Sequence, residues 1–165
     1  MSIRKKGLFI NGIYRDVVEG ILDIQRELPE HIMFLQPYSS RRIVGLDEKP
    51  PTVKDRVRLY LSTMDDLSTV EYEAEIVGWD NKQTISENKA NVVRRLLCTL
   101  QPKETGMNPP REGEKASGTN LLHVWRMRKL EKPFSVGELI LFNTDEPHST
   151  NRVTAGGWSY VKNRE

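Results

Sequence analysis

Cysteine, histidine and long apolar runs are scarce in this sequence, and their scarcity excludes several classes of protein. The single cysteine, Cys98, excludes an internal disulfide, and no Cys/His spacing typical of a zinc site occurs. No apolar run is long enough to span a membrane, and the basic start of the chain lacks the apolar region of a secretory signal. We therefore expect a cytoplasmic protein with no membrane partner and no metal.

Signatures of catalysis are missing as well. The three histidines lie in no motif with a serine or cysteine nucleophile, and the sequence has no G-x-S-x-G elbow, P-loop or dinucleotide fingerprint. Each histidine is better interpreted as structural or solvent-exposed than as catalytic. Cys98, among the leucines of a predicted helix, is better interpreted as a buried inert thiol. The sequence predicts no cofactor, leaves any catalytic residues unknown and favours a protein that is not an enzyme.

The charges are balanced, with 25 basic and 23 acidic residues and a net charge of +2. Bulk electrostatics therefore does not indicate a nucleic-acid-binding protein. Any basic surface must come from local clusters, which are residues 4–6, Arg41 with Arg42, Arg94 with Arg95, and residues 126–129. For each cluster alone, an ordinary solvated surface is the alternative.

Hydrophobic periodicity predicts the order β-α-β-β-β-α-loop-β-β-β. The predicted strands are residues 6–11, 31–37, 57–63, 70–79, 121–130, 138–143 and 156–161, and the helices are residues 14–28 and 86–100. Residues 101–120, rich in Pro, Gly and charge, are predicted to form a flexible surface loop. We expect one α+β domain over residues 1–165, in which a bent antiparallel sheet closes into a small β-barrel flanked by two helices.

The clearest alternation lies in residues 70–79. Apolar and aromatic side chains occupy one face, and the other face carries Glu71, Glu73 and Glu75. This pattern is typical of an antiparallel strand with one solvated face. The alternation breaks at Gly78, which predicts a β-bulge or a close backbone approach that redirects Trp79.

Tryptophans at strand ends are the strongest indication of a binding site. Trp79 ends one predicted strand, and Trp158 follows Gly156 and Gly157, which let the backbone turn sharply. Aromatic rings in such places can stack on bases. For each tryptophan taken alone, core packing is nevertheless the favoured interpretation, most strongly for Trp125 in the middle of a strand.

Three stretches resemble the PUA-like superfamily, especially its ASCH and EVE branches. “KGLFINGIYRDVVEGIL” is similar to the opening strand, turn and helix of that superfamily, and “VRLYLST” with “VEYEAEIVGW” to its central hairpin. The resemblance covers residues 6–79, with a closing strand pair at residues 121–143. It implies a small β-barrel with a cleft for RNA or DNA. In EVE and YTH branches an aromatic cage there holds a modified base, and some ASCH proteins hydrolyse an acylated cytidine.

The resemblance carries over to only a few residues. Asn11 and Gly12 match the cleft-lining turn, Ser62 and Thr63 match the end of the hairpin, and Trp79 lies where the returning strand leaves the barrel. No lysine takes the place required by the Thr-Lys-Glu constellation of the cytidine hydrolases. The tryptophan typical of the start of EVE domains is also absent.

Together these observations predict a nucleic-acid-binding domain whose aromatic-lined cleft reads a modified or flipped base of RNA or DNA. The alternatives are a small hydrolase acting on a modified nucleoside and a protein-interaction module. Residues 38–42 would form one lip of the cleft, where the arginines contact phosphates, and residues 155–160 are a candidate for another. The predicted site residues are Asn11, Tyr38, Ser39, Ser40, Arg41, Arg42, Ser62, Thr63, Trp79, Asp80, Gly157 and Trp158.

Overall fold

A computed structural model describes residues 2–35, 49–80, 121–149 and 157–164. The strands in these ranges are β1 (Ser2–Ile3), β2 (Lys6–Ile13), β3 (Met33–Leu35), β4 (Asp55–Thr63), β5 (Thr69–Asp80), β6 (Leu121–Ser135) and β7 (Trp158–Lys162). The helices are α1 (Arg15–Glu27) and a short 3-10 helix (Val136–Glu138). Neither of these helices is long and apolar enough to cross a membrane.

All the described strands belong to one mixed sheet. The strand order is β3-β6-β5-β4-β2-β7, and β1 pairs with β4 beside this path. β4 runs parallel to both β1 and β2, whereas the other neighbours are antiparallel. A parallel pair needs a crossover connection, and α1 lies in the segment that joins β2 to β4. The expectation of a purely antiparallel sheet is therefore wrong.

The prediction of a closed barrel flanked by two helices is also wrong. The sheet is open, because β3 and β7 lie at opposite ends of the strand order and do not pair with each other in the described ranges. Closure requires a complete ring of paired strands, and these two edge strands have only three and five residues. The described ranges contain one α-helix, α1. The predicted helix at residues 86–100 and the loop at residues 101–120 lie outside them.

Both faces of the sheet are buried around its centre. On one face, α1 packs its buried residues Val17, Val18 and Ile21 against strand residues such as Leu8 and Ile10. The second face carries a smaller core made of Phe9, Tyr60, Val70, Val136, Leu139 and Val161. β2 is thus buried on both sides, which is why its sequence is a nearly continuous apolar run rather than an alternation.

The strand predicted at residues 138–143 does not form as a regular strand. Ser135 and Glu138 make a capping box around the 3-10 helix, in which Gly137 N donates to Ser135 Oγ at 3.2 Å. After this turn, only a short stretch of the chain pairs with β7. There Phe142 N donates to the carbonyl of Tyr160 at 3.0 Å, and Lys162 N donates to that of Ile140 at 2.9 Å. The short pairing positions the residues that follow it beside β7.

Candidate functional site

A cleft of about 570 Å³ opens beside β7. The described residues that line it are Lys6 of β2, Leu141, Asn143 and Thr144 of the segment before β7, and Trp158, Ser159 and Tyr160 of β7. The volume lies within the range of ~300–1,000 Å³ typical of small-molecule sites. The cleft therefore combines aromatic rings, an ammonium group and small polar side chains.

Trp158 and Tyr160 present their rings on the same face of β7. Alternation along the strand puts them on this face, and the antiparallel register places them opposite Ile10 and Leu8 of β2. Both are partly buried and pack against the core below α1. Their ring centroids are 5.5 Å apart and their planes meet at 74°, an edge-to-face contact. Part of each ring stays accessible from the cleft.

Lys6 lies at the start of β2, directly opposite Lys162 of β7. Its Nζ lies 4.4 Å from the ring centroid of Tyr160 and 5.8 Å from that of Phe142. An ammonium over an aromatic face is attracted by the ring quadrupole. Lys162 pairs with the carboxylate of Asp145. Two aromatic rings thus lie beside the ammonium of Lys6 where it borders the cleft.

His148 lies behind the cleft and contacts one of its walls. Its Nε2 lies 3.2 Å from Ser159 Oγ, and its ring meets Phe9 edge-to-face with centroids 5.3 Å apart. The backbone N of His148 donates to the carbonyl of Leu139 at 2.7 Å. Burial lowers the pKa of His148 below its usual value, so the ring that faces Ser159 is neutral at pH 7.

Several of the residues predicted to form the site meet where β2 and β4 end. Ser62 Oγ donates to Asn11 Oδ1 and accepts from Gly12 N at 3.1 Å. Asn11 N in turn donates to the carbonyl of Gly157 at 2.9 Å, next to Trp158. Gly12 has a φ of 83°, which favours glycine. Because Asn11 and Ser62 are buried, they fix the ends of the strands rather than line the cleft.

Thr63 belongs to a charged cluster at the start of α1. The guanidinium of Arg15 donates to Thr63 Oγ1 at 3.3 Å, Asp65 at 2.6 Å, Glu71 at 3.0 and 3.1 Å, and the Tyr72 hydroxyl at 3.1 Å. The Tyr72 hydroxyl donates to Glu19 at 2.7 Å. Burial, together with Glu19, raises the pKa of Tyr72 to about 12. None of these residues lines the cleft, and the cluster instead ties α1 to β4 and β5.

Trp79 and Asp80 lie at the other end of the sheet. Since β5 runs antiparallel to β4, its last residues lie beside the start of β4, far from Ser62 near its end. Trp79 is 6% exposed and belongs to the core, with the guanidinium carbon of Arg4 at 5.9 Å from its ring centroid. Asp80 lies 2.9 Å from Nε2 of His123. The structure thus does not bring this pair together with Trp158.

Residues 38–42 fall outside the described ranges. The predicted lip made of Tyr38, Ser39, Ser40, Arg41 and Arg42 therefore stays a prediction. The last residue described before this stretch is Leu35, which belongs to β3. In the strand order of the sheet, β3 stands at one end and β7 at the other.

The row of glutamates on β5 is not the solvated face that its alternation predicts. Their side chains are only 14–20% exposed, and each is paired with an arginine. The pairs are Glu71 with Arg15 at 3.0 Å, Glu73 with Arg58 at 3.5 Å and Arg128 at 3.2 Å, and Glu75 with Arg56 at 2.9 Å. Among the described residues, no group of three His, Cys, Asp or Glu side chains could hold a metal ion.

Sequence reasoning found Trp158 but missed most of the cleft. The missed residues are Lys6, Leu141, Asn143 and Thr144, whereas Ser159 and Tyr160 belong to the predicted second lip but were not among the predicted site residues. One signal was present, because Trp158 and Tyr160 alternate in a predicted strand and so share a face. The place of Lys6 follows from the pairing of β2 with β7, which joins distant parts of the sequence and leaves no local pattern.

Comparison of the chain with protein-family models, with curated proteins and with solved structures finds no match in any of the three. The resemblance to the PUA-like superfamily therefore stays a prediction. A function must be inferred from the geometry and chemistry of the cleft itself.

Proposed function

We propose that the chain binds single-stranded RNA or DNA by stacking a base on Trp158 in the cleft beside β7. The observation that carries this proposal is that one cleft holds a partly buried indole, an ammonium group and small polar side chains. Stacking of a base on an aromatic side chain contributes ~1–3 kcal/mol. The resemblance to the PUA-like superfamily favours the same class of ligand.

The polar rim of the cleft suits the edge of a base. Asn143 supplies an amide, and Thr144 and Ser159 supply hydroxyls. Amides and hydroxyls both donate and accept hydrogen bonds, so this set can satisfy the mixed donors and acceptors of a base edge. Selectivity for one base, modified or plain, would arise from these three side chains.

The composition of the cleft favours binding over hydrolysis. Lys6 and Thr144 are two of the three residue types in the Thr-Lys-Glu constellation of the cytidine hydrolases. The carboxylate is missing, since no Asp or Glu of the described ranges lines the cleft. A general base beside a reacting group is therefore not among the described lining residues.

Fluorescence anisotropy with short labelled strands tests the proposal. The ligands are single-stranded and duplex RNA and DNA, plain and base-modified, each at two salt concentrations. We expect saturable binding to single strands that weakens as salt rises, because phosphate contacts release counterions. A chain that binds no strand at low salt would contradict the proposal.

Substitution of Trp158 tests the stacking platform directly. Trp158→Ala should weaken binding by about 1–3 kcal/mol. Because Trp158 also packs against the core, Trp158→Leu keeps apolar volume without the ring, and Trp158→Phe keeps a smaller ring. We expect the Leu variant to lose affinity as the Ala variant does and the Phe variant to keep most of it, at unchanged circular dichroism. Equal affinity of the Leu variant and the wild type would remove Trp158 from the site.

A further inference from the structure

We infer that Ser159 accepts a hydrogen bond from the exocyclic amino group of the bound base, because His148 uses the only hydrogen of the serine hydroxyl. The preferred bases would then be adenine, cytosine and guanine, each of which carries such a group, rather than uracil or hypoxanthine. This inference rests on the proposed function and deepens it, since it names the class of base that the cleft selects.

The tautomer of His148 follows from the partner of its Nδ1. This atom lies 3.2 Å from the backbone carbonyl oxygen of Ser149. A carbonyl oxygen can only accept a hydrogen bond, so Nδ1 carries the hydrogen. The ring is neutral at pH 7, because burial lowers its pKa. The second nitrogen, Nε2, is therefore without a hydrogen and can only accept.

Ser159 must then donate its hydroxyl hydrogen to His148. Its Oγ lies 3.2 Å from Nε2. A serine hydroxyl has one hydrogen and two lone pairs. Once the hydrogen points at His148, only lone pairs remain for a ligand. This wall of the cleft therefore presents a hydrogen-bond acceptor.

The position of Ser159 places this acceptor next to the proposed stacking platform. Residues 158–160 all line the cleft. β7 stands at one end of the strand order, and at the edge of a sheet side chains of both faces can border one space. Ser159 follows Trp158 directly and pairs in register with Phe9 of β2, which fixes its backbone.

The other polar side chains of the cleft discriminate less between donors and acceptors. The amide of Asn143 contains both kinds of group, and the hydroxyl of Thr144 combines a donor with lone pairs. Ser159 differs because its hydrogen is already used. A carbonyl oxygen of a base would meet its lone pairs and be repelled, whereas an amino group would donate to them.

Fluorescence anisotropy of the full chain with matched single strands tests the inference. Each ligand is a labelled RNA pentamer with one base at its centre and abasic sites on both sides. The central bases are adenine, purine, which lacks only the amino group, and hypoxanthine, which has a carbonyl in its place. A fully abasic strand gives the background. We expect adenine to bind about three- to tenfold more tightly than purine, the effect of one hydrogen bond, and hypoxanthine to bind no better than purine.

Two serine variants separate a side-chain contact from a backbone contact. Ser159→Ala removes the acceptor and should reduce the ratio of adenine to purine affinity to about one. Ser149→Ala is the matched control, because Ser149 contacts His148 through its backbone carbonyl, which the substitution keeps. The control should retain the full ratio.

His148→Phe tests the positioning role of the imidazole. The variant keeps a ring against Phe9 but has no nitrogen to receive the hydrogen of Ser159. The hydroxyl can then donate to a ligand as well, so hypoxanthine should gain affinity relative to adenine. If His148 only supported the wall, both strands would weaken alike, and an unchanged ratio would contradict the inference.

The outcomes distinguish this inference from the proposed function. If no strand with a base binds better than the fully abasic strand, the proposed function itself is wrong. If adenine and purine bind equally well while Trp158→Leu weakens both, the function stands and the role of Ser159 is wrong. The role is also wrong if Ser159→Ala keeps the ratio or Ser149→Ala loses it. The serine pair leaves His148 unchanged, so this comparison does not depend on the folding of His148→Phe.

Discussion

At the scale of single residues, Gly78 shows how little space some positions leave. It lies where the register of β5 against β6 shifts. A Cβ placed on Gly78 would lie 2.6 Å from Nδ1 of His123. The imidazole cannot move aside freely, because Asp80 lies 2.9 Å from its other nitrogen and Phe34 contacts it edge-to-face at 5.1 Å. Any side chain larger than that of glycine would therefore have to displace the ring of His123.

Gly78→Ala should lower the free energy of unfolding by about 1–3 kcal/mol, because the added methyl group overlaps a fixed ring. In a His123→Ala background the same substitution should cost much less. Gly20→Ala is the control, since nothing lies within 4 Å of its added Cβ, and it should stabilise α1 by about 0.5–1 kcal/mol. Chemical denaturation measures all three changes in the free energy of unfolding. Equal costs of Gly78→Ala in both backgrounds would contradict the steric explanation.

The sequence predicted this feature in part. The break in alternation at Gly78 indicated a bulge or a close approach, and both are confirmed by the register shift and by the short distance to His123. The identity of the neighbour could not be predicted. It depends on how β6 pairs with β5, and β6 is distant in the sequence.

At the scale of elements, Arg15 connects α1 to two strands of the sheet. It donates to Asp65 in the turn after β4 and to both oxygens of Glu71 on β5. Hydrogen bonds to Glu71 and Asp65 raise the pKa of Arg15 further above its usual value, so it stays charged at every working pH. The side chain is 32% exposed, and Glu71 only 14%. Removing the guanidinium would leave that carboxylate without its main partner.

Arg15→Met should therefore lower the free energy of unfolding by about 1–3 kcal/mol. Arg26→Met on the same helix is the matched control. Arg26 pairs with Asp23 at 3.3 Å, and the two side chains are 73% and 62% exposed, so its loss should change stability by less than about 0.5 kcal/mol. Urea denaturation of the two variants gives the comparison. Similar effects for both would mean that the Arg15 cluster contributes no more than an ordinary surface pair.

Local patterns predicted most of the described elements but not their pairing. The 3.6-residue period gave α1, and alternation gave β4 and β5 to within a few residues. The same patterns cannot show that β2 and β4 are parallel, because alternation reports which face is buried and not the direction of the neighbour. The partners of the glutamates were missed for this reason. Arg56 and Arg58 reach them from the adjacent strand.

At the scale of the whole molecule, stability should depend on pH through His148. Burial lowers its pKa in the folded state, so the unfolded chain binds a proton more readily. Its contribution is fully present above the ordinary pKa near 6.5 and is lost as pH falls through the lowered folded value. We expect the free energy of unfolding to fall between pH 7.5 and 5, and less steeply in His148→Gln. Identical slopes in urea denaturation would contradict this role.

The global architecture was the least predictable level. A barrel requires the edge strands to meet, and nothing in β3 or β7 alone shows whether they do. The cleft could be predicted only in part for the same reason, since it also depends on which strands pair. Trp158 was found from its own sequence context, and Lys6 was not. Its ammonium reaches Tyr160 only after β2 and β7 have paired.

The pairing of β2 with β7 also determines when the cleft can form during synthesis of the chain. β2 is synthesised before β7, and most of the described chain lies between the two strands. Until β7 emerges, the edge of β2 that it will occupy is open to other extended chains, and the cleft does not exist. A ribosome paused before residue 158 would therefore hold a chain that lacks the cleft and that exposes a strand edge able to pair with neighbouring chains on the same messenger RNA.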